Sequence, residues 1–326
     1  MKKNYHTVLT QRLQDRTFTL SLTITGIVIL FSIIYPTLFP TFDNLRQVLL
    51  NLSVETIVAV GMMLLMISGS FDLSVGSVVA FSGGLCAWLM YFHHVNVCAA
   101  VLIALLACLF IGLINGCFVA YIGINPLIQT LAMMGIVRGL ALMVSGAGIQ
   151  ALPYWFNAIG QSRLFGIQMP VWYMIITVIL FTFLFTKTVF FRRYYYIGSN
   201  EKAAMLSGIA VKKMKLYGFM IASLLAGVAG ILLSSRLGAA MSTSGEGLEL
   251  RVITAVILGG ASLNGGTGKI TGALLGAVFM GLVSNIMTIA RISGYWQQII
   301  LGIILIAAIC VDLLLKKDRI AKLKVE

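Results

Sequence analysis

Long stretches of this chain run for roughly the width of a bilayer with almost no charge, and that constrains the fold more than any motif does. Residues 20–39, 97–122, 171–185, 216–234 and 296–315 are apolar throughout or nearly so. A helix needs about twenty such residues to cross the hydrocarbon core. Shorter or polar-broken runs at 54–67, 75–91, 127–144, 252–258 and 270–289 raise the expected number of helices to between eight and ten, with ten favoured. Hydrophobic residues make up 60% of the 326 and charged ones 10%, where soluble domains carry roughly 25% charged residues. The fold class expected is all-α, a polytopic transmembrane bundle forming one domain over residues 1–326.

The basic residues set a topology. Tail 1–17, segment 187–215 and tail 316–326 hold 16 of the 23 Lys and Arg, and the positive-inside rule puts all three in the cytoplasm. Six crossings followed by four satisfy this. The net charge of +13 is thus a topology signal. A nucleic-acid surface would need a folded polar face with stacking aromatics, and no segment is long and polar enough to build one. The first apolar run, beginning near Phe18, is longer than a signal-peptide core and lacks a small-residue cleavage pair, so it is expected to stay as a helix.

Little points to a reaction centre. Cys86, Cys98, Cys108, Cys117 and Cys310 lie in or beside apolar runs without metal-site spacing, and His6, His93 and His94 form no cluster with them. The stretch Asn264-Gly265-Gly266-Thr267-Gly268-Lys269-Ile270-Thr271 imitates a phosphate loop, but Leu263 stands in for its first glycine and Ile270 for its hydroxyl. No cofactor, metal or catalytic residue is expected, and any ATP must be bound by another chain.

Glycine and polar residues at membrane depth point instead to transport. Ser68-Gly69-Ser70-Phe71-Asp72-Leu73-Ser74-Val75-Gly76 breaks the first half, and Gly259-Gly260-Ala261-Ser262-Leu263-Asn264-Gly265-Gly266 the second. Paired glycine-broken segments mark a transport pathway at a repeat interface. Asp72 precedes a helix-like run, and its expected role is to cap exposed amides. Asn115, Asn125, Gln129, Thr130, Asn264 and Asn285 are neutral polar groups that could pass a sugar, or equally could serve as interhelical hydrogen-bonding groups. Glu55, Arg138 and Arg291 need a role or an interfacial place. Glu246, Glu249 and Arg251 follow a Ser/Thr/Gly loop expected on the outer surface, where they could meet a docking protein or simply be solvated.

Between two apolar runs lies Gly198-Ser199-Asn200-Glu201-Lys202-Ala203-Ala204-Met205-Leu206-Ser207-Gly208-Ile209. It reads as a short helix started by Ser199-Asn200 and stopped by Gly208, within a loop of about residues 192–215. Its apolar face, Ala204, Met205 and Ile209, suits a groove on a soluble partner; lying on the bilayer surface is the other reading.

These phrases, together with Gly123-Ile124-Asn125-Pro126 and Ala255-Val256-Ile257-Leu258-Gly259-Gly260, closely resemble the permease subunits of ribose-type sugar ABC importers over about residues 18 to 315. The resemblance implies a bacterial inner-membrane permease working as a homodimer or heterodimer. It also implies an ATPase with two fused nucleotide-binding halves, a periplasmic sugar-binding protein, and Gly198, Asn200, Glu201, Ala204, Met205, Leu206 and Gly208 as the ATPase-coupling element. An ion-coupled carrier, which would need Asp72 or Glu55 as its ion site, and a branched-chain amino-acid permease of the same superfamily are the alternatives.

Overall fold

The computed structural model describes residues 16–323, with side chains for 17–313; most of the basic tail residues lie outside the described side chains. Thirteen helices and one two-residue hairpin fill that span. Among the described residues, nine helices are long and apolar enough to cross a membrane. Six precede the basic segment: α1 (Arg16–Ile34), α2 (Phe42–Ile67), α3 (Val75–Phe92), α4 (Val97–Cys117), α5 (Pro126–Ser145) and α7 (Met169–Lys187). Between α5 and α7 lie the short α6 (Tyr154–Gln161) and the hairpin β1 (Arg163–Leu164) with β2 (Ile167–Gln168). The basic segment forms α8 (Val189–Ser199) and α9 (Glu201–Leu206), followed by α10 (Val211–Leu237), α11 (Leu248–Leu258), α12 (Ile270–Ile289) and α13 (Gly294–Leu323).

Local chemistry sets most of the helix starts. Thr41, Asn96, Asn125 and Thr188 each accept a backbone N–H from the first turn of the helix that follows, satisfying one of the donors a helix start leaves unpaired. Pro126 then occupies the first turn of α5, where a missing N–H costs nothing. A π-turn, Phe118–Ile122, extends α4 to Gly123.

The bundle is organised around α10, which packs on α2, α3 and α4 through small residues. Gly112 sits against Met220 and Ser223, Gly227 against Cys108, and Gly61 against Ala222. With no hydrophobic drive between helices in lipid, this close approach supplies the packing attraction. Outward faces are Leu, Ile and Phe, as on α4 (Leu102, Leu106, Phe110) and α7 (Ile176, Ile179, Phe183).

The tenth apolar run does not span. Helix α11 has 11 residues, about 16 Å at 1.5 Å each, roughly half the hydrocarbon thickness. Its first turn lies beside Gly76 at the start of α3, where Glu249 and the Gly245 carbonyl leave no room for a Cβ. Arg251 pairs with Glu55 at 3.2 Å, and Glu55 stands midway along α2. The loop before α11 therefore descends into the bundle, and α11 completes that crossing. Glu249 and Arg251, expected on an outer surface loop, sit at mid-depth instead. A continuous apolar run such as 252–258 carries no mark of where along the bundle axis it begins, which is why the sequence suggested a full span.

Candidate functional site

Two regions gather the residues singled out by sequence. The first is a junction at the end of the bundle that carries α8 and α9. Both glycine-broken segments arrive there. Gly69 (φ +77°) and Gly265 (φ +85°) adopt the left-handed conformation that glycine tolerates without strain. A Cβ on Gly265 would lie 2.8 Å from Gly198 Cα and 2.8 Å from Gly69 N. Gly266 N donates to Ile67 O at 2.9 Å. The two breaks thus meet each other and the last turn of α8, three backbones in contact where a side chain at Gly198, Gly265 or Gly266 would intrude.

Tyrosines on α8, which sequence reasoning passed over, fasten this junction. Tyr194 donates to Met214 O and Tyr195 to Gly268 O, both at 2.8 Å. Burial raises both phenol pKa values, so both stay protonated donors at neutral pH. The run Tyr194-Tyr195-Tyr196, beside the basic segment, was the available signal.

From this anchored base α9 projects outward. Asn200 Oδ1 accepts Ala203 N at 3.0 Å, and Gly208 (φ +80°) ends the helix with Ile209 N donating back to Ala204 O at 3.1 Å. Ala204 is buried against the bundle, whereas Leu206 is 91% exposed and Met205 55%. The outward apolar surface is therefore Met205 with Leu206, and Ala204 is the residue that seats the helix. Glu201 is exposed and pairs with Lys215 at 2.7 Å, an ion pair worth at most about 1 kcal/mol in such a setting.

The second region is a buried polar chain. Asp72 Oδ1 accepts Ser74 N at 2.8 Å and Ser74 Oγ at 2.5 Å. Asn115 Nδ2 donates to Asp72 Oδ2 at 3.3 Å, and Asn115 Oδ1 accepts from Gln129 Nε2 at 3.3 Å. Asp72 holds the turn before α3 and, through Asn115, links it to α4 and α5; it accepts the N–H of Ser74, the residue that precedes the helix, rather than the amides of the first turn of α3 that it was expected to cap.

The other path candidates fall elsewhere. Thr130 bonds the carbonyl of Pro126 in its own helix, and Asn125 caps α5 through Leu127 N. Asn264 lies exposed in the loop beside Gly69, and Gly260 (φ +96°) ends α11 just before it. Asn285 forms a two-way amide pair with Asn44 at 2.7 and 3.2 Å. Of the six, only Asn115 and Gln129 are joined by hydrogen bonds. Among the described residues no group of three or more His, Cys, Asp or Glu could hold a metal ion.

Comparison with known proteins now decides the family. A family model described as the permease component of a branched-chain amino-acid transport system matches residues 44–309. The chain belongs to this permease family. The permease is 37% identical over 301 residues to an L-arabinose ABC transporter permease of Azospirillum brasilense, covering 90% of this chain and 88% of that one. It is 36% identical to the ribose import permease of Bacillus subtilis (88% and 89%) and 34% identical to the D-allose transport permease of Escherichia coli (89% and 90%). No solved structure matches. The permease is a multi-pass membrane protein, and ATP hydrolysis in such importers takes place on a separate subunit.

Proposed function

We propose that this permease carries a monosaccharide inward across the inner membrane, driven by ATP hydrolysed on a partner with two nucleotide-binding halves. A periplasmic sugar-binding protein delivers the solute, and a second permease chain, identical or not, completes the pathway. Both termini and the α8–α9 segment lie in the cytoplasm, in keeping with the bias of Lys and Arg toward these segments.

The observation that carries this reading is the geometry of α9. A six-residue helix, capped at both ends, presents Leu206 and Met205 to solvent while its base is tied to both broken segments through Gly198. An apolar tip exposed beside a basic flank suits a groove on a soluble protein. A rigid base passes any push on that tip to the Gly69 and Gly265 turns, and so to α2, α3, α11 and α12. Sugar as the solute rests on the relatives named for arabinose, ribose and allose.

The test is uptake by proteoliposomes holding the permease, its ATPase and its binding protein. ATP-dependent accumulation of one of D-ribose, L-arabinose or D-allose, with none of leucine, is expected. Uptake of leucine, or uptake driven by an ion gradient without ATP, would overturn the reading.

A further inference from the structure

Helix α2 is largely buried, yet the residues it leaves exposed in its first half include amides. Gln47 and Asn51 face outward and Glu55 is partly exposed, at i, i+4 and i+8, so the three lie on one face. Guanidinium groups stand along it: Arg236 donates to Asn51 Oδ1 at 3.2 Å, and Arg251 pairs with Glu55 at 3.2 Å. Arg236 is in the last turn of α10 at the end remote from α9, and Glu55 is at the middle of α2. The stripe therefore runs from the far end of the bundle to mid-depth.

Lipid does not accept such a face. Charged groups at bilayer depth face a water-filled cavity or protein, and non-helical backbone there is tolerated only in the same places. The faces of α4 and α7 at comparable depth are Leu, Ile and Phe. The stripe also stops: past Glu55, residues 56–67 of α2 are all buried.

We propose that the stripe Gln47–Asn51–Glu55, with Arg236 and Arg251, is one wall of a half-channel that opens away from α9 and ends at the Glu55–Arg251 pair. It receives a neutral polyhydroxylated solute, and its facing wall is the second permease chain. This rests on the importer reading above. Glu55 and Arg251 offset one another's charge, and the amides and guanidinium groups offer the donors and acceptors that sugar hydroxyls need. The polar residues read from the sequence as path candidates are not on this wall.

The test uses the intact importer in cells, with the exposed Cys98 and Cys310 changed to Ala. Gln47→Cys and Asn51→Cys are exposed to a membrane-impermeant cationic methanethiosulfonate, with Leu106→Cys and Ile179→Cys as lipid-facing controls. Because such reagents require an aqueous thiolate, both stripe positions should label at least about tenfold faster than either control. Asn51→Cys should by itself lower sugar uptake severalfold and labelling should lower it further, whereas labelling of either control leaves uptake unchanged. Labelling no faster than Leu106→Cys, or labelling without loss of uptake, overturns the proposal. Were the importer reading itself at fault, the labelling pattern would persist while the unlabelled protein showed no ATP-dependent sugar uptake.

Discussion

Asn115 donates to the Asp72 carboxylate at 3.3 Å and accepts from Gln129, so a single buried amide ties the turn before α3 to α4 and α5. Replacing Asp72 with Ala leaves the Ser74 N–H without this acceptor and costs Asn115 one of its two acceptors. A loss of about 1–3 kcal/mol is expected, since unpaired buried groups cost that much. Asp72→Asn keeps an acceptor oxygen and should lose less. Thermal unfolding in detergent checks the order. Uptake separates this role from ion coupling: Asp72→Asn should retain ATP-dependent transport, and complete loss in a well-folded variant would revive the ion-site reading.

Gly198→Ala should fail at the level of assembly. Its Cβ would run into the Ile67 carbonyl and Gly266 N, two backbone atoms that cannot swing aside. Gly208→Ala is the contrast. Nothing lies within 4 Å of its Cβ position, so only the left-handed backbone is strained, by about 1–2 kcal/mol. The yield of monodisperse protein should collapse for the first and change little for the second. Equal yields would mean the glycine junction is looser than described.

On α9 a cap and a tip can be told apart. Asn200→Ala removes the acceptor for Ala203 N and should cost about 1 kcal/mol of local helix stability. Leu206→Asp touches nothing in the bundle, so stability should hold while binding to the ATPase falls at least about tenfold, the loss of roughly one buried anchor. Unfolding curves and ATPase retention on an affinity column read the two effects separately.

Asn44 and Asn285 exchange two hydrogen bonds between α2 and α12. Asn285→Leu should destabilise the pair by about 1–2 kcal/mol, because one amide is left alone in a partly buried place. Changing both to Leu should recover much of that loss. A double variant no better than the single one would show that the pairing contributes little.

Much of this was legible in the sequence because the signals are local. Apolar runs marked the spans with one too many at 252–258, Asn200 and Gly208 marked the ends of α9, and Asp72 read as a helix-capping carboxylate where the structure has it hold the turn before α3. What escaped depends on depth and on pairing between distant segments. Glu249 and Arg251 follow a polar loop, as surface residues would, and only the approach of α2 and α3 reveals that the loop descends. From sequence, Asn125 and Asn285 read either as path-lining amides or as hydrogen-bonding groups; which bonds they make needed the helix ends placed, one capping α5 and the other pairing with Asn44. The stripe Gln47–Asn51–Glu55 did carry a periodic signal, four residues apart in an apolar helix, but its meaning came only with Arg236 and Arg251 beside it.

The central claim is that α9 joins this permease to a separate ATPase. The most direct measurement is a mild-detergent purification of the full chain from its native membranes, as wild type and as Leu206→Asp, with stoichiometric partners identified by mass spectrometry. The account predicts that an ATPase with two nucleotide-binding halves accompanies the wild type and is lost from the variant, at equal membrane levels of permease. A wild-type chain that purifies without any ATPase and still accumulates solute when reconstituted alone would contradict it.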